Sequence, residues 1–246
     1  MLGMTTTSDP GTTGVKDIAD ALGGGINENS LMIIEGATKT GKSVICQHIT
    51  YGILHSRDSA VAYYSSEDNA KTLLQKMETL ALDIKQDLAT DRVRIYGINP
   101  KNNNVKDSDK FLKLIIKHVS ELPQRFRLVI IDSATEYMSR VSPTTKVDFL
   151  QACKEMCDNE RSIALALDTH IFEGKTLYRA YAMSDYYLQL KSNDTILDTG
   201  QVDTRVIKSL TVTKLGGAER HSGEGIKFEI KPGMSISILP FVKIRI

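Results

Sequence analysis

The chain has 246 residues, of which 41% are hydrophobic, with 31 basic against 30 acidic side chains and a formal net charge of +1. That length and apolar fraction suit one large α/β domain, and the balanced charge excludes the global basic field of a general nucleic-acid binder. No run of about 18 apolar residues is present, which excludes a membrane-spanning helix, and three cysteines, an odd number, argue against a disulfide framework and fit a reducing cytoplasm.

Residues 1–14 are polar and rich in Thr. They read as a flexible N-terminus without the apolar core of a signal peptide, followed by a single domain over 15–246. Residues 15–22 read as a short helix ended by Gly23-Gly24-Gly25. The apolar run 31–35 reads as a strand and 44–54 as an amphipathic helix, with Cys46 packed in the core. A second strand is expected over 60–65, a helix over 69–80 with Leu73, Leu74, Met77 and Leu80 on one face, and a short strand over 92–96. A polar loop over 99–107 leads into an amphipathic helix over 109–122, stopped by Pro123. Residues 128–132 are a buried strand with an acid at its end. Next come a helix over 146–157, carrying Cys153 and Cys157 on one face, and a strand over 163–167. From Ser184 onward short strands dominate, at 186–190, 209–214, 226–230 and 235–239. Strands alternating with helices predict a mainly parallel twisted sheet with helices on both faces and a small antiparallel C-terminal extension.

Gly36-Ala37-Thr38-Lys39-Thr40-Gly41-Lys42-Ser43, followed by Val44, stands between the first strand and its helix. In that context the spacing G-x4-G-K-S is a phosphate-binding loop. Successive N–H groups converge on a phosphate, the helix N-terminus adds its positive dipole end, and the glycines admit backbone geometry that a Cβ would obstruct. Lys42 reaches the β- and γ-phosphates, and the Ser43 hydroxyl is placed to hold Mg²⁺. Ligands in such sheets sit beyond the carboxyl ends of strands. Four ends carry polar residues there: Gly36 onward, Ser66-Glu67, Asp132-Ser133 and Thr169-His170. Asp132 is the expected partner of Ser43 in holding the Mg²⁺ shell. Glu67 is a candidate to orient an attacking water, or else a helix-start acid favoured by the dipole. Thr169 and His170 are candidate sensors of the γ-phosphate.

These residues carry a resemblance. Ala21-Leu22-Gly23-Gly24-Gly25-Ile26, then Ser30 and the strand into the phosphate loop, are similar to the opening of the RecA-fold ATPases of the KaiC type, and 128–133 resembles their second acid motif. Ser65-Ser66-Glu67-Asp68, Leu73-Leu74-Gln75-Lys76-Met77 and Arg92-Val93-Arg94-Ile95-Tyr96 resemble, more closely, the nucleotide-binding subunits of the archaeal flagellar (archaellum) motor. The similarity covers roughly residues 15–240. It implies an ATP- and Mg²⁺-binding chain in a homo-oligomeric, hexameric ring with nucleotide near subunit interfaces. By the same resemblance the motor ATPase FlaI, the membrane protein FlaJ and a scaffold ring are neighbours at the base of the membrane-embedded motor, with this chain peripheral and cytoplasmic.

KaiC-type proteins place two adjacent acids at the end of the second strand, where this chain has Ser66-Glu67. They also carry a Lys-x-Arg pair reaching a neighbour's γ-phosphate. Here Lys214 matches, as a candidate contact in trans, but Gly216 stands in place of the Arg. An arginine finger supplies about 10³–10⁵ in rate, roughly 4–7 kcal/mol of barrier. Losing an acid and a finger is expected to leave binding and slow hydrolysis, which suits a regulatory assembly subunit better than a motor. Two other readings are an active KaiC-like signalling ATPase and a RecA-like DNA-binding recombination protein. For the latter, Lys146, Lys154, Arg161, Lys175 and Arg179 are scattered among acids and read as charges of solvated loops.

Overall fold

The apolar runs of the sequence become the centre of a ten-stranded sheet in this computed structural model, which describes residues 16–56, 58–98, 107–193, 206–216, 218–219, 225–231 and 235–239. Strands β1 (Leu31–Gly36), β2 (Ala60–Ser65), β3 (Val93–Gly97), β4 (Phe126–Asp132), β5 (Ser162–Leu167) and β6 (Tyr186–Asn193) run parallel. Strands β7 (Ile207–Leu215), β8 (Ala218–Glu219), β9 (Ile226–Lys231) and β10 (Ser235–Ile238) add antiparallel to one side. The order is β10-β9-β7-β6-β1-β5-β4-β2-β3, with β8 on β7. This is the mainly parallel α/β sheet with an antiparallel extension that the order of elements predicts.

Alternate residues of each central strand serve two cores, as a sheet covered on both faces requires. Met32, Ile34, Tyr63 and Ile130 join the face covered by α1 (Lys16–Ala21), α2 (Lys42–Ser56) and α3 (Ala70–Thr79). Leu31, Ile33, Val129 and Leu165 join the face covered by α5 (Ser108–Glu121) and α7 (Pro143–Asp158). Cys153 and Cys157 are buried free thiols on that second face, and Cys46 is one on the first.

The observed boundaries follow caps that periodicity overlooks. Ser142 accepts from Thr145 N at 3.1 Å and Pro143 fills the first turn, so α7 starts three residues before the expected 146. Asn69 caps α3, and Asp107 caps α5. Three helices were not read from the sequence: α4 (Lys85–Ala89), α6 (Thr135–Met138) and α8 (Gly174–Met183). The first two are too short to show a period. α8 begins at a glycine and is only ten residues long, with Ala180 its one buried residue. The N-terminal segment 1–14 and residues 99–106 of the expected polar loop lie outside the described residues.

Two expectations change. Helix α2 is not a half-exposed amphipathic helix: nine of its residues, including Gln47, His48 and Thr50, are buried. It lies on the sheet in a core that also takes Ile18 of α1, Leu22 just after that helix, and Leu210 and Phe228 of the antiparallel strands. Arg161 is not a solvated loop charge. It is buried, and its guanidinium donates to Phe126 O at 3.1 Å and Leu122 O at 2.5 Å, fastening the α5–β4 connection to the start of β5.

Burial pushes the His48 imidazole down to about 4 from its ordinary 6.5. The unfolded chain therefore takes up a proton below about pH 6.5 that the folded chain refuses until about pH 4, so stability is lost as pH falls through that window. The full loss is on the order of 3 kcal/mol. His48→Gln is expected to lose correspondingly less stability between pH 6.5 and 4 in urea unfolding. Parallel curves for variant and wild type would contradict this.

Candidate functional site

β1 hands over to α2 through Ala37 to Gly41, at the carboxyl edge of the sheet and beside the ends of β5 and β4. The loop is tight. A Cβ on Gly36 would stand 2.5 Å from Thr40 Oγ1 and 2.8 Å from Leu190 O, and Gly41 holds φ +102, in the region that disfavours side chains. Thr40 Oγ1 donates to Ala37 O at 2.8 Å and pins the turn. Gly36→Ala is expected to displace the loop from β6 and cost about 1–3 kcal/mol of stability by overpacking, with nucleotide binding lost as well. Thermal unfolding with and without ATP–Mg²⁺ reads both, and a variant with wild-type behaviour in both arms would show that the loop tolerates the methyl group.

A cavity of about 550 Å³ opens over the loop, lined by Lys39, Gly41, Lys42, Ser43, Val44, Thr38, Ser66, Glu67, Asp132, Ser133, Thr135, Glu136, Asp168 and Ile230. A cleft of similar size, about 530 Å³, lies between β3 and α5 and is walled by Tyr64, Tyr96, Phe111 and His118. The phosphate chemistry lies in the first: among the described residues the glycine loop, Lys42 and the acids Glu67, Asp132 and Asp168 converge there.

Asp132 ends β4, buried at 7% exposure. Its Oδ1 accepts from Ser43 Oγ at 3.0 Å and its Oδ2 from Tyr63 OH at 2.6 Å. Burial pushes its carboxyl above the ordinary carboxylate range. The Tyr63 and Ser43 hydrogen bonds oppose this, the charge of Glu67 adds to it, and the charge of Lys42 again opposes it. Tyr63 was not singled out from the sequence, where it reads as one more apolar strand residue. Ser66 stitches two strand ends together: its N–H donates to Asp132 O at 2.9 Å and its hydroxyl accepts from Ser133 N at 3.0 Å. Glu67 is exposed on the cavity wall, while the capping of α3 falls to Asn69, whose side chain accepts from Thr72 N at 2.9 Å.

Lys42 Nζ donates to Gly36 O at 2.6 Å, Ala37 O at 3.1 Å and Asp168 Oδ1 at 2.6 Å. Asp168, just past the end of β5, is thus the cavity's residue from that strand end. Thr169 and His170 are exposed and stand outside the cavity wall. From the antiparallel side, Lys208 on β7 donates from Nζ to Lys39 O at 2.5 Å, and a Cβ on Gly41 would meet Ile230 Cδ1 at 3.3 Å and Lys208 Cδ at 3.4 Å. The C-terminal strands therefore roof the loop. No local pattern signals this, because 169 residues separate Lys208 from Lys39.

Lys214 is placed apart from the cavity. It is 7% exposed, and its ammonium donates to Tyr181 O at 2.7 Å and Ala182 O at 2.9 Å, carbonyls in the last turn of α8. It also stands 5.5 Å over the Tyr181 ring. In the folded chain this cation serves the helix terminus, where carbonyl partial charges favour a cation.

A parallel sheet ordered β6-β1-β5-β4-β2-β3, a phosphate loop after its central β1 and an acid at the end of β4 define a P-loop protein of RecA-like fold. The chain belongs to the KaiC family of ATPases, whose family model matches residues 11–243. It is similar to the archaeal flagellar ATP-binding protein FlaH of Methanocaldococcus jannaschii, 32% identical over 55% of this chain and 57% of that one. That match spans little more than half of the relative's length. The FlaH of Sulfolobus acidocaldarius is 24% identical over 93% of this chain and 96% of its own. The crystal structure of the flagellar accessory protein FlaH from M. jannaschii superposes with a TM-score of 0.74 at 21% identity, covering 92% of this chain and 96% of that one, a likeness of fold. Among the described residues no helix is long and apolar enough to cross a membrane.

Proposed function

We infer that the chain is an ATP–Mg²⁺-binding subunit of the archaellum motor complex, whose nucleotide state controls its self-assembly and its contact with the motor ATPase FlaI, and whose hydrolysis is slow. The observation that carries this reading is a site with its binding half in place and its catalytic half thinned. The loop Gly36 to Ser43 is intact and Ser43 lies 3.0 Å from Asp132. These two side chains supply hard oxygen donors of the kind Mg²⁺ takes, and the magnesium ion would neutralise charge on the phosphates. Against that, Glu67 is the acid of the Ser66-Glu67-Asp68 segment that lines the cavity, Asp68 pairing with Lys76 instead, Ser66 is used to join strands, and Lys214 is held by its own chain with Gly216 in place of an arginine. The matches to two FlaH proteins support the archaellum assignment. A hexameric ring, FlaJ and the scaffold ring as neighbours, and a peripheral place at the membrane-embedded motor base belong to the same proposal. Of the basic residues a DNA-binding reading needs, Lys146 donates to Ile171 O, Lys154 pairs with Asp185 and Arg161 is buried.

The test is a FlaI-binding titration with and without ATP–Mg²⁺, together with steady-state turnover. FlaI binding that strengthens with ATP, and turnover far below about 1 s⁻¹, are expected. Turnover at or above that ordinary enzymatic rate, with FlaI binding indifferent to nucleotide, would overturn the proposal in favour of an active KaiC-like ATPase.

A further inference from the structure

We propose that Asp168 is a competing anion for the phosphate-binding lysine, so that a nucleotide must displace it to be gripped. The inference rests on the nucleotide-binding reading above. An ammonium has three protons, and Lys42 has three acceptors at 2.6, 3.1 and 2.6 Å: Gly36 O, Ala37 O and Asp168 Oδ1. No proton is left for a phosphate. Two of the acceptors are neutral carbonyls of the loop itself, and Asp168 is the charged one. Its place is built in. β5 pairs with β1 up to Glu35 and Leu167, so Asp168 follows directly beside the loop, and its own N–H donates to Thr135 Oγ1 at 3.1 Å.

A phosphate reaching Lys42 brings further negative charge into a cavity already walled by Asp132, Glu67 and Glu136. The side chains of Lys42 and Asp168 are 11% and 30% exposed, so the contact is partly withdrawn from water and the repulsion is incompletely screened. Asp168 thereby sets the affinity of the site through Lys42, as a positioning residue that lowers occupancy until nucleotide is abundant. In a switch subunit this places the binding threshold, since the apparent affinity falls by the fraction of sites whose lysine is held back.

Calorimetric titration of the full chain with ATP–Mg²⁺ tests this, comparing wild type with Asp168→Asn, Asp168→Ser and Asp168→Glu. The Asn and Ser variants are expected to bind about tenfold tighter, and the Glu variant, which restores the charge, to return towards wild-type affinity. A residue with a merely structural role would give weaker binding on removal and no dependence on charge. Unchanged or weaker affinity in the Asn and Ser variants beside a wild type that binds overturns the competition and leaves the nucleotide reading standing. A wild type that is silent while the neutral variants bind supports it. Silence from all four chains, each folded by circular dichroism, overturns both readings.

Discussion

Lys42→Ala is expected to abolish ATP–Mg²⁺ binding while the sheet persists. Lys42 is the first residue of α2 and spends its charge on Gly36 O, Ala37 O and Asp168, not on the core. Removing it leaves Asp168, at 30% side-chain exposure, accessible to water, so the unliganded protein is expected to lose only about 0–1 kcal/mol, as for other solvent-reached ion pairs. The liganded comparison is much larger. A nucleotide at a thousand times its Kd stabilises the folded state by about 4 kcal/mol, which for a chain of this size is a rise in Tm on the order of ten degrees. Thermal unfolding with and without saturating ATP–Mg²⁺ measures it. The wild type is expected to show the rise and the variant none, and a variant with the full rise would show that the loop does not grip phosphate through Lys42.

Asp132→Asn is expected to separate magnesium from nucleotide. The carboxylate is 7% exposed and receives Ser43 Oγ and Tyr63 OH. An asparagine keeps the shape and removes the negative charge that a cation's shell requires. ATP affinity with Mg²⁺ is expected to fall by about 10–100-fold, the usual cost of losing a group that supports a metal shell, and affinity without Mg²⁺ to change little. Equal losses in both titrations would mean that Asp132 acts only as a strand-end brace.

The unliganded protein carries a second signature. Burial raises the Asp132 carboxyl in the folded chain above its value in the unfolded one. The folded state therefore holds that proton to higher pH, and stability is lost as pH rises from about 4, the unfolded value, through the folded one. Asp132→Asn lacks this loss. Denaturant midpoints followed upward from pH 4 are expected to fall in wild type relative to the variant.

What could be read from the sequence is what local pattern controls. Leu31 to Gly36, the glycine-bounded loop and the start of α2 are contiguous, so strand, phosphate loop and helix are legible from spacing alone. Leu128 to Asp132 announces itself as an apolar run ended by an acid, although the strand itself begins two residues earlier, at Phe126. The contacts that tune the site are tertiary, and periodicity cannot see them. Asp168 lies one residue from Thr169 and two from His170, and nothing in the run Leu167-Asp168-Thr169-His170 says which of them turns into the cavity; the register of β5 against β1 decides it. Lys208 becomes part of the loop's roof because β7 and β9 lie alongside the central strands. Lys214 matched a family position by spacing, yet its partners, Tyr181 O and Ala182 O, end a helix that the sequence did not reveal.

Sedimentation velocity of the wild type without nucleotide, with ADP–Mg²⁺ and with ATP–Mg²⁺, with phosphate release followed in the same samples, tests the central claim most directly. A ligand that favours assembly must bind the assembled state more tightly. A shift to a larger species with ATP–Mg²⁺, stable over hours because turnover is far below about 1 s⁻¹, is the expected result. One size distribution under all three conditions, or rapid phosphate release with the larger species decaying as ATP is spent, would contradict it.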